Sequence, residues 1–169
     1  MKCLVSFLLT VVSALNNVSA GEVTGLSTDL ITRTSTVWSG GYLSSVSLQD
    51  AVLEPGVFQF AEIRSLRPML GWRLENFPDN TIQTAYRVLV ASSPELLEEG
   101  SADIWDSGRT VGDNSCAVRL DAELKPSSLY WWKVRVWDNH GGESAYSKAA
   151  CFATASTNST LFISFPPHS

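Results

Sequence analysis

Residues 130–138, with the sequence YWWKVRVWD, alternate between two kinds of side chain. Successive side chains of a β-strand point to opposite faces, so this period predicts a half-buried strand. The apolar face carries Tyr130, Trp132, Val134 and Val136, and we expect it to pack in a core. The opposite face carries Trp131, Lys133, Arg135 and Trp137. This strand is the strongest structural signal in the chain.

Shorter alternating sets on both sides of this strand predict further strands. They are Leu70, Trp72 and Leu74; Tyr86, Val88 and Val90; Cys116, Val118 and Leu120; and a returning last strand at 149–154. Turn-forming residues separate them, as at Pro78-Asp79 and in the DNHGG loop at 138–142. Ser93-Pro94 predicts one short helix, which ends at Gly100. Many short strands with almost no helix favour an all-β, antiparallel sandwich.

The spacing of Leu124-Lys125-Pro126 before Tyr130 is typical of a tyrosine corner, in which a tyrosine hydroxyl bonds nearby backbone in Greek-key sandwiches. It predicts an immunoglobulin-like sandwich of the fibronectin-type-III kind. The residues expected in its core are Trp72, Tyr86, Leu124, Tyr130 and Trp132.

Four segments carry a more specific resemblance. They are PMLGWRL at 68–74, QTAYRVLVASS at 83–93, DIWDSG at 103–108 and LYWWKVRVWD at 129–138. In this order they resemble the N-terminal fibronectin-type-III-like domain of bacterial α-L-rhamnosidases. The resemblance covers residues 66–154, about half of the chain, and implies a piece that ends before the catalytic domain.

Glycosidases of the inverting type use two carboxyl groups, and in the rhamnosidases the resemblance places them on a helical barrel outside the matched segment. No catalytic residue is therefore inherited. Asp106 and Asp138 lie where strands end, and we expect them to be turn or capping acids. A chain that is itself a hydrolase would need an acid and base pair that the sequence does not offer.

The leading hypothesis is therefore a non-catalytic accessory domain whose partner is the catalytic domain of a secreted rhamnosidase. The alternative is an autonomous carbohydrate-binding module that takes rhamnose-containing glycans. Its binding face would be Trp131, Lys133, Arg135 and Trp137, because indoles can stack on sugars beside cationic donors. The interpretation favoured for this face is a contact with another domain, or tryptophans half-covered by neighbouring strands, since large aromatic patches usually mark docking surfaces.

The two ends of the chain have other signals. Lys2, an apolar run at 4–15 and the small residues Val18-Ser19-Ala20 predict a signal peptide over 1–20, and thus a secreted or periplasmic protein with no membrane segment after cleavage. Residues 21–60, rich in Ser, Thr and Gly at their start, are expected to be a linker, with 57–60 as either an edge strand or a loop. The sandwich is expected over 61–155, followed by an off-family tail at 156–169 that is typical of a truncated or frameshifted reading frame.

Composition excludes several other functions. A net charge of -5 disfavours nucleic acid. The only histidines are His140 and His168, and no two cysteines lie close together, so neither a metal site nor a cofactor is predicted. Cys116 shares the parity of inward residues, whereas Cys151 neighbours the inward Phe152. Opposite parity predicts that these two cysteines do not form a disulfide.

Overall fold

The computed structural model describes residues 21–156, and within them it has twelve strands and two short helices. The strands are β1 (Glu22–Thr28), β2 (Val37–Ser39), β3 (Tyr42–Leu43), β4 (Gln59–Phe60), β5 (Glu62–Ile63), β6 (Met69–Glu75), β7 (Gln83–Ala91), β8 (Trp105–Asp106), β9 (Thr110–Val111), β10 (Val118–Arg119), β11 (Leu129–Asp138) and β12 (Ala150–Thr154). The helices are α1 (Leu48–Ala51) and a 3-10 turn at Pro94–Leu96. No helix within 21–156 is long and apolar enough to cross a membrane.

Two sheets enclose the main core. The larger has the order β5-β12-β11-β7-β8, with β9 also paired to β7, and the smaller has the order β1-β6-β10. All of these pairs are antiparallel except β12 with β5, which is parallel. A third, small sheet of order β3-β2-β4 lies outside them. The predicted antiparallel sandwich is confirmed.

The side chains of β11 alternate between a buried face and a partly exposed face, as the sequence predicts. Tyr130, Trp132, Val134 and Val136 are buried, and Trp132 has no exposed surface at all. The strand pairs with β7 along nearly its whole length, from Trp131 opposite Ala91 to Asp138 opposite Gln83. It is the central strand of the larger sheet and fixes the position of both faces.

The tyrosine corner is present. The backbone N–H of Lys125 donates a hydrogen bond to the Tyr130 hydroxyl at 2.9 Å, five residues apart along the chain. Leu124 is buried beside it, and Trp72 is only 4% exposed in the same core. Tyr86 is partly buried and packs its ring against Trp72, with 5.3 Å between the ring centroids.

The indole N–H groups of the two core tryptophans both have side-chain partners, as buried donors require. Trp72 Nε1 donates to Gln83 Oε1 at 2.9 Å. Trp132 Nε1 donates to Thr28 Oγ1 at 3.2 Å, across 104 positions of sequence. The second bond ties the N-terminal strand to the centre of the larger sheet.

The linker expected over 21–60 is not what the structure shows. Strand β1 pairs antiparallel with β6 and its Val23 is buried in the main core. A bulge between Thr24 and Ser27, where Gly25 has φ +58°, shifts the register. This shift breaks the period-2 pattern that would have identified the strand in the sequence. The sandwich therefore includes β1 and does not begin at 61.

Between β1 and β5 the chain builds a small layer against β12. Ser47 is the N-cap of helix α1, and its hydroxyl accepts from the Asp50 N–H at 3.1 Å. Its Leu48 and Ala51 pack with Val37 of β2 and with Ala153 of β12. The strand considered at 57–60 is the two-residue β4, which pairs with β2 and not with the main sandwich.

The cysteine geometry corrects one expectation. Ala117 has a left-handed φ of 56°, so the alternation of β10 does not continue back to Cys116, which is exposed. The expectation that Cys116 points into the core is wrong, whereas Cys151 does lie beside the buried Phe152. Both thiols are free in the structure.

Two other expectations fall on the ends of the chain. The signal peptide at 1–20 and all of the tail except Ser156 lie outside the described residues.

The helix predicted after Ser93-Pro94 is confirmed as the 3-10 turn.

Candidate functional site

Four side chains project from β11 away from the core and form the outer face: Trp131, Lys133, Arg135 and Trp137. The structure brings all four to the same side of the larger sheet, as the strand period requires. Each of them is partly buried and not bare. Other parts of the chain therefore cover this face.

The loop between β7 and β8 covers the Trp131 end. Leu97, in this loop, is buried against Leu89 and Ala91 of β7, and Trp131 packs at the edge of this second cluster. The base of the loop is closed by Asp103, whose carboxylate accepts from the Ser92 N–H at 2.9 Å and from its hydroxyl at 2.6 Å. The loop is thus anchored by both apolar contact and hydrogen bonds.

A charged network covers the middle of the outer face. Arg87 and Arg135 lie directly opposite each other on β7 and β11. Like charges in this position repel, but the Glu99 carboxylate accepts from both guanidinium groups. Lys133 Nζ also pairs with Glu98 Oε1 at 3.0 Å. The covering loop is therefore held by two adjacent glutamates.

Asp106 makes the best-defined ion pair of this network. Arg87 Nε donates to its Oδ1 at 2.9 Å and Nη2 donates to its Oδ2 at 2.7 Å. These bonds from the Arg87 guanidinium lower the pKa of Asp106, and the Gly108 N–H also contributes. The same pairing raises the pKa of Arg87. Asp106 is consequently ionised at neutral pH and cannot act there as a proton donor.

Cations already lie over the aromatic rings of this region. The guanidinium carbons of Arg109 and Arg135 are 4.9 Å and 5.1 Å from the Trp137 ring centroid. Trp137 Nε1 donates to Glu143 Oε2 at 3.1 Å. The contacts that would bind a sugar ring to this indole are therefore made within the protein.

Tyr146 completes the cover. Lys133 Nζ and the Arg135 guanidinium carbon are each 4.7 Å from its ring centroid. Its hydroxyl donates to Glu99 Oε1 at 2.9 Å. Burial, together with this bond, raises the pKa of the Tyr146 hydroxyl, so it stays neutral.

Asp138 is a loop acid, as expected. It is buried, and its Oδ1 accepts from the N–H groups of His140 at 2.9 Å and Gly142 at 2.8 Å, which closes the hairpin loop after β11. Asp106 also accepts from the Gly108 N–H in its turn. The interpretation of both acids as turn residues is confirmed, although the sequence did not reveal the Arg87 partner of Asp106.

Among residues 21–156 there is no group of three or more His, Cys, Asp or Glu side chains that could hold a metal ion.

Several residues that pair with the side chains of the outer face, or stack on them, were not predicted from the sequence: Arg87, Glu98, Glu99, Arg109, Glu143 and Tyr146. Arg87 had a signal, because it is the one charged residue of strand β7. The acids had none, since their positions depend on how the loops fold back over the sheet.

The sandwich and its tyrosine corner define an immunoglobulin-like domain of the fibronectin-type-III kind. Residues 59–158 match the family described as the Rha78A-like N-terminal immunoglobulin domain. The chain belongs to this family.

Sequence relatives agree. The chain is 40% identical over 104 residues to an alpha-L-rhamnosidase of Streptomyces avermitilis, which covers 59% of this chain and 10% of the relative. It is 37% identical over 91 residues to an alpha-L-rhamnosidase of Formosa agariphila, which covers 53% of this chain and 10% of the relative. The chain thus spans about a tenth of the length of these relatives.

Solved structures extend the similarity. The Streptomyces avermitilis alpha-L-rhamnosidase complexed with L-rhamnose superposes with a TM-score of 0.57 at 29% identity, over 80% of this chain and 11% of that one. The alpha-L-rhamnosidase from Dictyoglumus thermophilum superposes with a TM-score of 0.61 at 25% identity, over 85% of this chain and 13% of that one. Both alignments reach into the segment before residue 59.

Proposed function

We propose that this chain is the non-catalytic N-terminal accessory domain of a secreted glycoside hydrolase of the α-L-rhamnosidase type. Its work is structural: it docks on the catalytic domain and orients it. The observation that carries this proposal is the match of residues 59–158 to an N-terminal domain family of such enzymes.

The state of the acids supports a non-catalytic role. Glycoside hydrolysis of the inverting kind needs one protonated and one ionised carboxyl group about 6.5–9.5 Å apart beside an open cleft. Asp106 is bound by Arg87, and Asp138 is buried in hydrogen bonds to its own loop. Neither side chain has the freedom that an acid or base requires.

The packing of the outer face favours docking over carbohydrate binding. A sugar on Trp137 would have to displace Arg109 or Arg135 from its ring, and a sugar on Trp131 would meet the loop that carries Leu97. Removing these contacts costs free energy that the new contacts must first offset. The face is better suited to present its rim, including Arg109, to another protein domain.

A chimera tests the structural role. In the Streptomyces avermitilis enzyme, the matching N-terminal segment is replaced by residues 21–156 of this chain, and hydrolysis of an aryl α-L-rhamnoside is measured. We expect the chimera to keep activity within about tenfold of the parent, and a matched chimera with Trp132→Asp to lose soluble enzyme. The chain alone should give no turnover. Turnover by the chain alone that disappears in Asp106→Asn would overturn the proposal.

Calorimetric titration of the chain with rhamnose and rhamnose-bearing oligosaccharides tests the alternative. We expect no heat of binding, and no difference between the unmodified chain and Trp137→Ala. Saturable binding that Trp137→Ala abolishes would establish a carbohydrate-binding module instead.

The secreted location is part of the proposal and rests on the sequence of residues 1–20. Export in a bacterial host, followed by N-terminal sequencing of the protein outside the cytoplasm, tests it. We expect the mature chain to begin at Gly21. An uncleaved protein retained in the cytoplasm would contradict this location.

A further inference from the structure

An apolar groove of about 550 Å³ lies between the segment that follows α1 and the end of β12. The volume falls in the range of about 300–1,000 Å³ that is typical of binding pockets. Its apolar wall is formed by Val52, Phe58, Phe60, Leu129 and Ala153. All of these except Ala153 are only partly buried within the described residues. The groove is therefore an apolar surface that residues 21–156 leave incompletely covered.

The segment that forms one wall of the groove also carries exposed apolar side chains. Leu53 is 77% exposed and Val57 is 50% exposed. The outer face differs, because all four of its side chains are partly buried beneath other parts of the chain. Exposed apolar surface with a polar rim usually marks a site of contact with another protein. The groove and its wall have this character.

The position of the groove indicates which protein surface covers it. Ser156, the last described residue, lines the groove, and the preceding Ala155 N–H donates to the Ile63 carbonyl at 2.9 Å. The family is an N-terminal domain, and the matched region is 10% of the length of the Streptomyces avermitilis and Formosa agariphila relatives. In such an enzyme most of the polypeptide follows the C-terminal end of this domain. The groove lies at that end.

Charge defines the chemistry of the partner surface. Residues 34–63 contain no Lys, Arg or His, and their charged residues are Asp50, Glu54 and Glu62. Glu62 lines the groove, and both Glu54 and Glu62 are exposed. Two copies of the chain joined face to face would bring these acids together, and like charges across an interface are unfavourable. A surface with apolar side chains and with Lys or Arg at its edge is complementary.

We propose that the accessory domain makes its docking contact with the remainder of a rhamnosidase-type enzyme at this groove. Apolar side chains of the enzyme fill the space between Phe58 and Leu129, and a Lys or Arg beside them pairs with Glu54 or Glu62. This inference rests on the accessory role proposed above and names the surface that performs it.

Photo-crosslinking in the Streptomyces avermitilis chimera tests the occupant. Val57 is replaced by p-benzoylphenylalanine, and the crosslinked peptides are identified by mass spectrometry. We expect crosslinks to the Streptomyces part of the chimera. The control position is Ile82, which is 58% exposed and precedes Gln83, the partner of Asp138 at the opposite end of β11 from Leu129. Crosslinks confined to residues 21–156, or equal yields from the two positions, would overturn the proposal.

Hydrogen exchange gives a readout that needs no substitution. We expect the amides of 52–60 and 127–129 to exchange about tenfold more slowly in the chimera than in the full chain alone. In the chimera, Leu53→Asp together with Val57→Asp should restore the faster exchange, whereas the matched control Ile82→Asp should not. Equal exchange of these amides in the chimera and in the full chain alone would contradict the proposal.

The outcomes distinguish this surface from the accessory role itself. An active chimera whose domain is protected at another surface, such as the rim at Arg109, keeps the accessory role and overturns the groove. An inactive chimera with no protection anywhere in residues 21–156 contradicts the accessory role, and the docking surface with it.

Sedimentation velocity of the full chain alone tests the remaining occupant. We expect a monomer, because the acids at the groove oppose pairing of two copies. A dimer that Leu53→Asp together with Val57→Asp abolishes would show that the groove joins two copies of the chain, and would overturn the proposal.

Discussion

At the scale of single residues, the positive charges of Arg87 and Arg135 must be compensated on the outer face. They face each other across two paired strands, which places two positive charges side by side on a partly buried face. Asp106, Glu99 and Glu143 supply the compensating negative charges. The Arg87–Asp106 pair is the most covered of these pairs, with side chains 22% and 25% exposed, so solvent screens it less than a fully exposed pair.

Asp106→Asn should therefore destabilise the fold by about 1.5–3 kcal/mol at pH 7, the usual range for hydrogen bonds to charged groups. The folded pKa of Asp106 is lowered, so its contribution is complete above the unfolded value of about 3.9 and is lost as the pH falls through the lower folded value. Urea unfolding from pH 7 down to pH 2 should show the free energies of unfolding of Asp106→Asn and the unmodified chain converging in acid.

Asp121→Asn is the control for this change, because Asp121 is exposed. It should shift stability by less than about 0.5 kcal/mol at every pH. A constant gap between Asp106→Asn and the unmodified chain from pH 7 to pH 2 would show that the charge of Asp106 is not what stabilises the loop.

The two described cysteines should differ in reactivity. Cys116 is exposed, whereas burial of Cys151 raises its pKa to about 12 and reduces the thiolate that reacts. With a maleimide at pH 7.5 we expect Cys116 to be labelled first, by at least about tenfold in rate, as measured by peptide mass spectrometry. In a chain that begins at Gly21, and so lacks Cys3, Cys116→Ser should leave only the slow reaction at Cys151. Equal rates, or a disulfide between the two, would contradict this geometry.

At the scale of elements, β11 supports two different layers at once. Its inner tryptophan, Trp132, has no exposed surface and bonds Thr28, while its outer tryptophan, Trp131, packs only at the edge of the cluster around Leu97. The inner layer joins the two sheets. The outer layer joins one sheet to one loop, so its loss affects less of the molecule.

Trp132→Ala should cost about 3–5 kcal/mol, as other large-to-small core substitutions do. Trp131→Ala should cost about 1–2 kcal/mol, because its side chain is already partly exposed. Equilibrium urea unfolding of the two variants, compared with the unmodified chain, measures both. A larger loss for Trp131→Ala would mean that the covering loop, and not the core, carries the stability.

Elements with regular alternation could be predicted from the sequence, and irregular ones could not. Strand β11 and the corner at Tyr130 follow local spacing, so both were predicted. Strand β1 was missed because of the bulge at Gly25, and the exposure of Cys116 because of the left-handed Ala117. The outer face was predicted as a face, but its acids come from loops whose positions only tertiary packing determines.

At the scale of the whole molecule, the N-terminal segment is part of the domain although the family match begins at residue 59. Strand β1 covers one edge of β6, and Val23 lies in the main core. The small layer adds Val37 and Leu48, which pack against β12. Full burial of each such aliphatic side chain contributes about 1.5–3 kcal/mol.

A chain shortened to begin at Gln59 should therefore lose its cooperative urea transition. It would lose these contacts, expose the free edge of β6 and leave Trp132 Nε1 without its Thr28 acceptor. A typical domain has only about 5–15 kcal/mol of stability, so several such losses are enough to unfold it. Circular dichroism at 25 °C, followed through urea titration, is the measurement.

Two controls separate the causes of this loss. A chain that begins at Gly21 should unfold cooperatively, because it keeps β1 and all of the described residues. Thr28→Val in that chain removes only the acceptor of the indole bond and should cost about 1–3 kcal/mol, as an unsatisfied buried donor does. If the chain from Gln59 unfolded with the same midpoint and slope as the chain from Gly21, β1 and the small layer would be appendages, and the family limits would enclose the whole folding unit.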